Sequence, residues 1–143
     1  MYKILITGPE STGKSSLIES LAKYFNAVYV SEFARAYIDH LKRAYDENDL
    51  LLIAKGQLRH EDEISAKGHP IIFVDTDLTV MDIWSQEKYG RTHPWILEQM
   101  QKRIYDLYLM PDIDLDWTYD AHRENPEASG RLWKIYQDSF AQR

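Results

Sequence analysis

A chain of 143 residues, 44% apolar and 28% charged, is long enough to bury the core of one compact domain and too apolar for a disordered segment. Its net charge of −6 opposes a nucleic-acid partner, whose affinity comes from neutralising phosphates with Lys and Arg, but leaves room for a small anionic ligand. Cysteine is absent, which excludes disulfides and thiol chemistry, and no window approaches the roughly 18 apolar residues of a membrane span, so a single cytoplasmic domain over 1–143 is expected.

In chain order, Tyr2-Lys3-Ile4-Leu5-Ile6-Thr7 is a short apolar run ending at Gly8, the pattern of a buried strand. From Lys14 the spacing turns helical, with Leu17, Leu21 and Tyr24 on the expected core face. Ala27 to Ser31 is a second strand, and Phe33 to Leu41 a short helix. Asp49 can cap a longer helix in which Leu50, Ile53, Ala54, Gln57, Leu58, Glu61 and Ile64 recur at helical spacing and Gly68 ends it. Pro70-Ile71-Ile72-Phe73-Val74-Asp75 is another buried strand. Leu78 to Tyr89 reads as a helix stopped by Gly90, and Pro94 suits the first turn of a helix reaching about Arg103. Asp106 to Met110 is a fourth strand, ended by Pro111. A polar, acidic stretch from Asp112 to Gly130 follows, and helical spacing returns from Arg131 through Leu132, Ile135 and Tyr136. Apolar strands alternating with helices predict an α/β fold in three layers, a mostly parallel sheet with helices on both faces.

Gly8-Pro9-Glu10-Ser11-Thr12-Gly13-Lys14-Ser15 is a full G-x-x-x-x-G-K-[ST] motif, set between a strand and a helix as its mechanism requires. Gly8 and Gly13 let the backbone curl so that successive N–H groups, those of Pro9 to Ser16 where present, converge on phosphate. The helix N-terminus adds partial positive charge. Lys14 is expected on the β- and γ-phosphates of ATP, and the Ser15 hydroxyl on Mg²⁺. The second signal is Ile71 to Asp77, an apolar strand ending in Asp75-Thr76-Asp77. A carboxylate at that strand end can hold Mg²⁺ beside the P-loop, and either Asp75 or Asp77 could do so. The third is Glu32-Phe33-Ala34-Arg35-Ala36-Tyr37. Ligands of open α/β sheets sit at the carboxyl ends of the strands, so Glu32 could accept a proton or hold a sugar hydroxyl, and Arg35 could clamp a phosphoryl group. An exposed pair at a helix start, Glu favouring the dipole, accounts for the same spacing.

Gly8 to Ser16, Glu32 to Tyr37, Gly56-Gln57, Asp75 to Asp77 and Tyr89-Gly90-Arg91 occur in one order. That series resembles the kinase domain of NadR-type nicotinamide riboside kinases, a P-loop branch labelled AAA-family ATPase, and the likeness covers essentially the whole chain. The resemblance implies transfer of the ATP γ-phosphoryl to the ribose 5′-hydroxyl of a pyridine nucleoside, in NAD biosynthesis. Lys14, Glu32, Asp75 and Arg123 would then be catalytic, with Ser15, Asp75 and Asp77 at the metal. Trp117 to Arg123 resembles the family's lid segment, and Arg123 and Arg131 could close on the phosphates, although without the resemblance solvated arginines in a charged loop are the plainer account. Glu32, Arg35, Tyr37 and Asp77 would face the acceptor, and Tyr37 or Trp84 could stack a pyridinium ring by cation–π attraction. Core packing is the plainer account of each aromatic taken singly. Glu10, an anion in an anion-binding loop, either turns to solvent or meets an acceptor hydroxyl. Bifunctional members carry an H-x-G-H adenylyltransferase motif, which the five histidines here do not form. The family's domain also continues with a further strand and helix beyond the position of Arg143, so a sheet lacking that unit is expected. A kinase of another nucleoside or nucleotide, or a regulatory ATP-binding module, would use the same P-loop.

Overall fold

The computed structural model describes residues 1–8 and 13–110. Four strands, β1 (Tyr2–Ile6), β2 (Val28–Val30), β3 (Ile71–Asp75) and β4 (Leu107–Leu109), alternate with five helices: α1 (Lys14–Tyr24), α2 (Phe33–His40), α3 (Glu47–Ser65), α4 (Thr79–Tyr89) and α5 (Pro94–Lys102). The sheet order is β2-β3-β1-β4, and every pairing is parallel. Because β3 inserts between β1 and β2, the carboxyl ends of these strands form one rim. The register sets Ile6 opposite Asp75 and Val30 opposite Val74.

Side chains alternate across the strands, so each face of the sheet collects its own core. Leu5, Val30, Ile72 and Val74 pack with Ile64 of α3, whereas Ile6 and Phe73 pack against Ile18 and Ala22 of α1. Leu50, Ile53, Ala54 and Leu58 of α3 join Ala34, Met81, Ile83 and Ile96 in a further apolar cluster among α2, α3, α4 and α5. Helices on both faces of a parallel sheet bear out the three-layer α/β expectation.

Two helices differ from the expectation drawn from spacing. On α1 the buried residues are Ile18 and Ala22, while Tyr24 is 82% exposed. Leu21 packs beside Ile18 and Ala22 while Leu17 turns outward, and the placement of the sheet decides which of these equally spaced residues are covered. On α3 the helix starts earlier than Asp49. Asp46 is the N-cap, and its carboxylate and that of Asp49 exchange bonds with each other's amides in a capping box. Asp49 also accepts from Arg43 at 2.7 Å and from the Tyr37 hydroxyl at 2.7 Å. The Arg43 guanidinium therefore holds the Asp49 carboxyl well below the usual carboxylate range.

The amino end of the sheet carries a buried ionic network. Glu61 of α3 is 1% exposed, yet it accepts from Arg103 at 2.8 Å, from the Tyr105 hydroxyl at 2.8 Å and from Lys3 at 3.5 Å. A carboxylate removed from water needs such partners. The network joins α3 to the start of β1 and to the approach to β4, at the end of the sheet away from the P-loop.

Candidate active site

The P-loop opens where β1 leaves the sheet. Gly8 has φ 139° and Gly13 φ 74°, backbone regions that side-chain-bearing residues rarely enter, so both glycines do what the motif predicts. A Cβ on Gly8 would also lie 3.3 Å from the side chain of Met110. Gly13 is the N-cap of α1 and offers no side chain to its first amides, which leaves those donors directed at the loop. Lys14 Nζ donates to the Gly8 carbonyl at 3.2 Å and so spans the loop mouth. Pro9, Glu10, Ser11 and Thr12, like Arg123 and Arg131, lie outside the described residues.

Asp75 ends β3 directly across from this mouth. The Ser15 hydroxyl donates to its Oδ2 at 3.4 Å, and the Thr76 hydroxyl to its Oδ1 at 3.0 Å. Burial pushes the Asp75 carboxyl above the usual range. The Lys14 ammonium draws it back, and the Glu32 carboxylate pushes it up again. The register that sets Ile6 opposite Asp75 and Val30 opposite Val74 brings the starts of the P-loop and of α2 to the same rim as Asp75. Glu32 is the half-buried N-cap of α2, on the rim just beyond β2. Lys14, Ser15, Glu32 and Asp75 therefore share one rim of the sheet, with Ser15 in direct contact with Asp75.

Other candidates fall elsewhere. Asp77 is buried, and its two carboxylate oxygens accept from the Thr79 amide and hydroxyl, each at 3.1 Å. That is a cap on the first turn of α4. Ser16 is exposed on α1, and Arg35 is exposed on α2. Tyr37 turns its hydroxyl to Asp49, which pushes the phenol above its ordinary value. With Phe33, Ala36, His40 and Leu41, its ring lines an open pocket of about 420 Å³ on α2. Trp84 stacks on Tyr45, with ring centroids 6.2 Å apart, and packs against the helical core, so packing accounts for it. Among the described residues no group of three or more His, Asp or Glu gathers as a metal cluster. None of their helices is long and apolar enough to cross a membrane.

The sequence reading passed over Gln57 and Thr76 as chemistry. Gln57 is 5% exposed, accepting from the Phe33 amide at 2.8 Å and donating to the Thr76 carbonyl at 3.4 Å. The available signal was two polar residues, Gln57 and Glu61, recurring on the otherwise apolar face of α3, where each must find a partner. The left-handed backbone of Thr76, φ 71°, has no such signature.

Comparison with known proteins is consistent with this architecture. The model of the AAA domain family matches residues 3–140. The trifunctional NAD biosynthesis/regulator protein NadR of Salmonella typhimurium is 29% identical over 124 residues, covering 84% of this chain and 30% of its own length. NadR of Escherichia coli K12 is 28% identical over 126 residues, again 84% and 30%. The chain thus spans under a third of the length of these curated relatives. Among solved structures, a NadR protein in complex with NR superposes with a TM-score of 0.80 at 22% identity, covering 99% of this chain and 42% of that one. A NadR protein in complex with NAD and AMP-PNP gives 0.73 at 21% identity, with the same coverage. At those identities the likeness is one of fold.

Proposed function

The chain belongs to the AAA domain family, and from that premise we propose that it is an ATP-dependent phosphotransferase acting on the ribose 5′-hydroxyl of nicotinamide riboside. The observation that carries the reading is the convergence of Lys14, Ser15 and Asp75 with Glu32 on one rim of the sheet. Lys14, Ser15 and Asp75 serve any nucleotide hydrolase, and a carboxylate on the same rim adds a group that can take the proton of an attacking hydroxyl. The similarity to NadR proteins, one solved with NR and another with AMP-PNP, supports the same acceptor.

Lys14 would leave the Gly8 carbonyl for the β- and γ-phosphates, exchanging a neutral acceptor for a charged one. The Ser15 hydroxyl and the Asp75 carboxylate are hard oxygen donors already in contact, a set that suits Mg²⁺ completed by phosphate oxygens. When bound, the metal neutralises phosphate charge. Asp75 is the better ligand of the two candidates, since it meets the Ser15 hydroxyl beside the P-loop, whereas the Asp77 carboxylate turns to Thr79 at the start of α4. Glu32 takes the proton from the 5′-hydroxyl as its oxygen bonds to the γ-phosphorus, and the bond from that phosphorus to the β-bridging oxygen breaks to release ADP. The pocket on α2 lies one residue beyond Glu32 and offers the Phe33 and Tyr37 rings to a flat heterocycle. Arg35 is assigned to the acceptor side, and Arg123 and Arg131 to the phosphates, on the resemblance alone.

The test is ADP release from Mg²⁺–ATP with nicotinamide riboside, with a panel of other nucleosides and nucleotides, and without acceptor. Nicotinamide riboside is expected to stimulate release with stoichiometric mononucleotide formation. Stimulation by a different nucleoside would move the acceptor and keep the kinase. Hydrolysis that no acceptor accelerates would overturn the kinase and leave a regulatory ATP-binding module.

A further inference from the structure

Glu32 follows β2 by two residues and Asp75 ends the neighbouring β3, and beyond that strand pairing one side chain bonds to the residue after each. Gln57 projects from the middle of α3, fully enclosed, and its one amide group bridges both sides. Its Oε1 accepts the amide of Phe33, the residue after Glu32 and the first of α2, at 2.8 Å. Such an amide has no partner inside its own helix. Its Nε2 donates to the carbonyl of Thr76, the residue after Asp75, at 3.4 Å. Thr76 has φ 71°, a conformation that costs a β-branched residue free energy and persists only when its surroundings hold it. The holding groups are the Ile6 carbonyl, 2.9 Å from the Thr76 amide, the Asp75 carboxylate on its hydroxyl, and Gln57 on its carbonyl. The residue before Gln57 fixes the remaining distance. A Cβ on Gly56 would clash with the edge of the Phe33 ring, so α2 rests directly on the backbone of α3.

We propose that Gln57 is a positioning residue that sets the separation of Glu32 and Asp75, so that the acceptor hydroxyl and the metal-bound phosphate meet in line. It acts only through the Phe33 amide and the Thr76 carbonyl. A primary amide suits this task because it presents one acceptor and one donor at fixed separation. Glutamate would keep the acceptor, lose the donor and add a third negative charge near two carboxylates. Leucine would keep the volume and lose both bonds. A residue that only filled the interior would lower the melting temperature and leave turnover unchanged well below it. A residue that sets catalytic geometry lowers kcat while nucleotide binding persists, because a displacement of about 1 Å is worth about 10²-fold in rate.

The inference rests on the kinase reading for what is being positioned, and its test separates the two. Gln57→Leu and Gln57→Glu are compared with the natural protein for melting temperature, for Mg²⁺–ATP affinity by calorimetry, and for kcat and KM with whichever acceptor the natural protein turns over. The crystal structure of Gln57→Leu is compared with that of the natural protein. Affinity for Mg²⁺–ATP should stay within about threefold while kcat falls about 10–10²-fold in both variants. In the crystal, Thr76 should return to negative φ and Glu32 should move relative to Asp75. Should Gln57→Leu fail to fold, Gln57→Glu carries the kinetic comparison and is the variant crystallised. Unchanged kcat in the folded variants, or a crystal in which Thr76 and Glu32 keep their places, overturns the proposal. If the natural protein turns over no acceptor, the kinase reading falls and the crystal comparison alone decides Gln57.

Discussion

Asp75 carries two opposed demands. The proposed metal role needs it ionised, yet burial pushes its carboxyl above the usual range, more than the Lys14 ammonium draws it back. A raised carboxyl binds its proton more tightly in the folded chain than in the unfolded one. Its effect on stability is therefore unfavourable above the ordinary carboxylate value of about 3.9, growing as pH rises through the folded value. Asp75→Asn removes that ionisation. Its expected outcome is a higher melting temperature for the metal-free protein at neutral pH, together with loss of Mg²⁺-dependent turnover, a common exchange at catalytic positions. Thermal melts of both proteins from about pH 4 to 7 should diverge as pH rises. A variant that melts below the natural protein at every pH would show that the Ser15 and Thr76 bonds outweigh the burial of charge.

At the scale of elements, the seating of α2 on α3 decides where Glu32 stands. Gly56 is buried in the middle of α3, where alanine would ordinarily be favoured by about 1 kcal/mol. Here a Cβ would collide with the Phe33 ring, so Gly56→Ala must displace α2 or unseat that ring. Overpacking of this kind costs about 1–3 kcal/mol, and the net expectation is a less stable protein with lower kcat in the proposed reaction. Denaturant unfolding checks the first and steady-state kinetics the second. Greater stability from the alanine would mean that Phe33 swings aside without strain. The opposite end of α3 is set by the Asp46–Asp49 capping box, with Arg43 and Tyr37 on Asp49. Because Asp49 is held below the ordinary carboxylate range, its contribution is present above about pH 4 and is lost as pH falls through its folded value.

Across the whole molecule, two charged groupings lie at opposite ends of one sheet. The Glu61 network with Lys3, Arg103 and Tyr105 is internally satisfied, whereas Lys14 meets only a backbone carbonyl among the contacts described for it. A ligand that fills the second site couples to folding by mass action, and at 100 times its Kd it adds about 2.7 kcal/mol. Mg²⁺–ATP should therefore raise the melting temperature of the natural protein, and excess EDTA should remove most of that rise. Lys14→Ala should melt close to the natural protein without nucleotide, show little rise with Mg²⁺–ATP and lose turnover. An equal rise in the variant would remove Lys14 from the phosphate site.

Patterns local in the chain were legible in the sequence. Strand and helix order followed from apolar runs and helical spacing, and the positive φ of Gly8 and Gly13 from a motif whose loop only glycine can turn. The parallel three-layer fold followed because strands apolar on both sides must be covered on both sides. What depends on the sheet was not legible. Which residues of α1 are covered was not legible because Leu17/Leu21 and Ile18/Ala22 have the same spacing, and the sheet covers Ile18, Ala22 and part of Leu21. The metal candidates, two residues apart in sequence, separated only when Asp75 met Ser15 and Asp77 met Thr79. Gln57 gained its partners only when β3 came to lie between β1 and β2 and brought Thr76 beside Phe33. Sequence spacing records neighbours along an element, whereas a site assembled from four strand and helix ends is a property of packing.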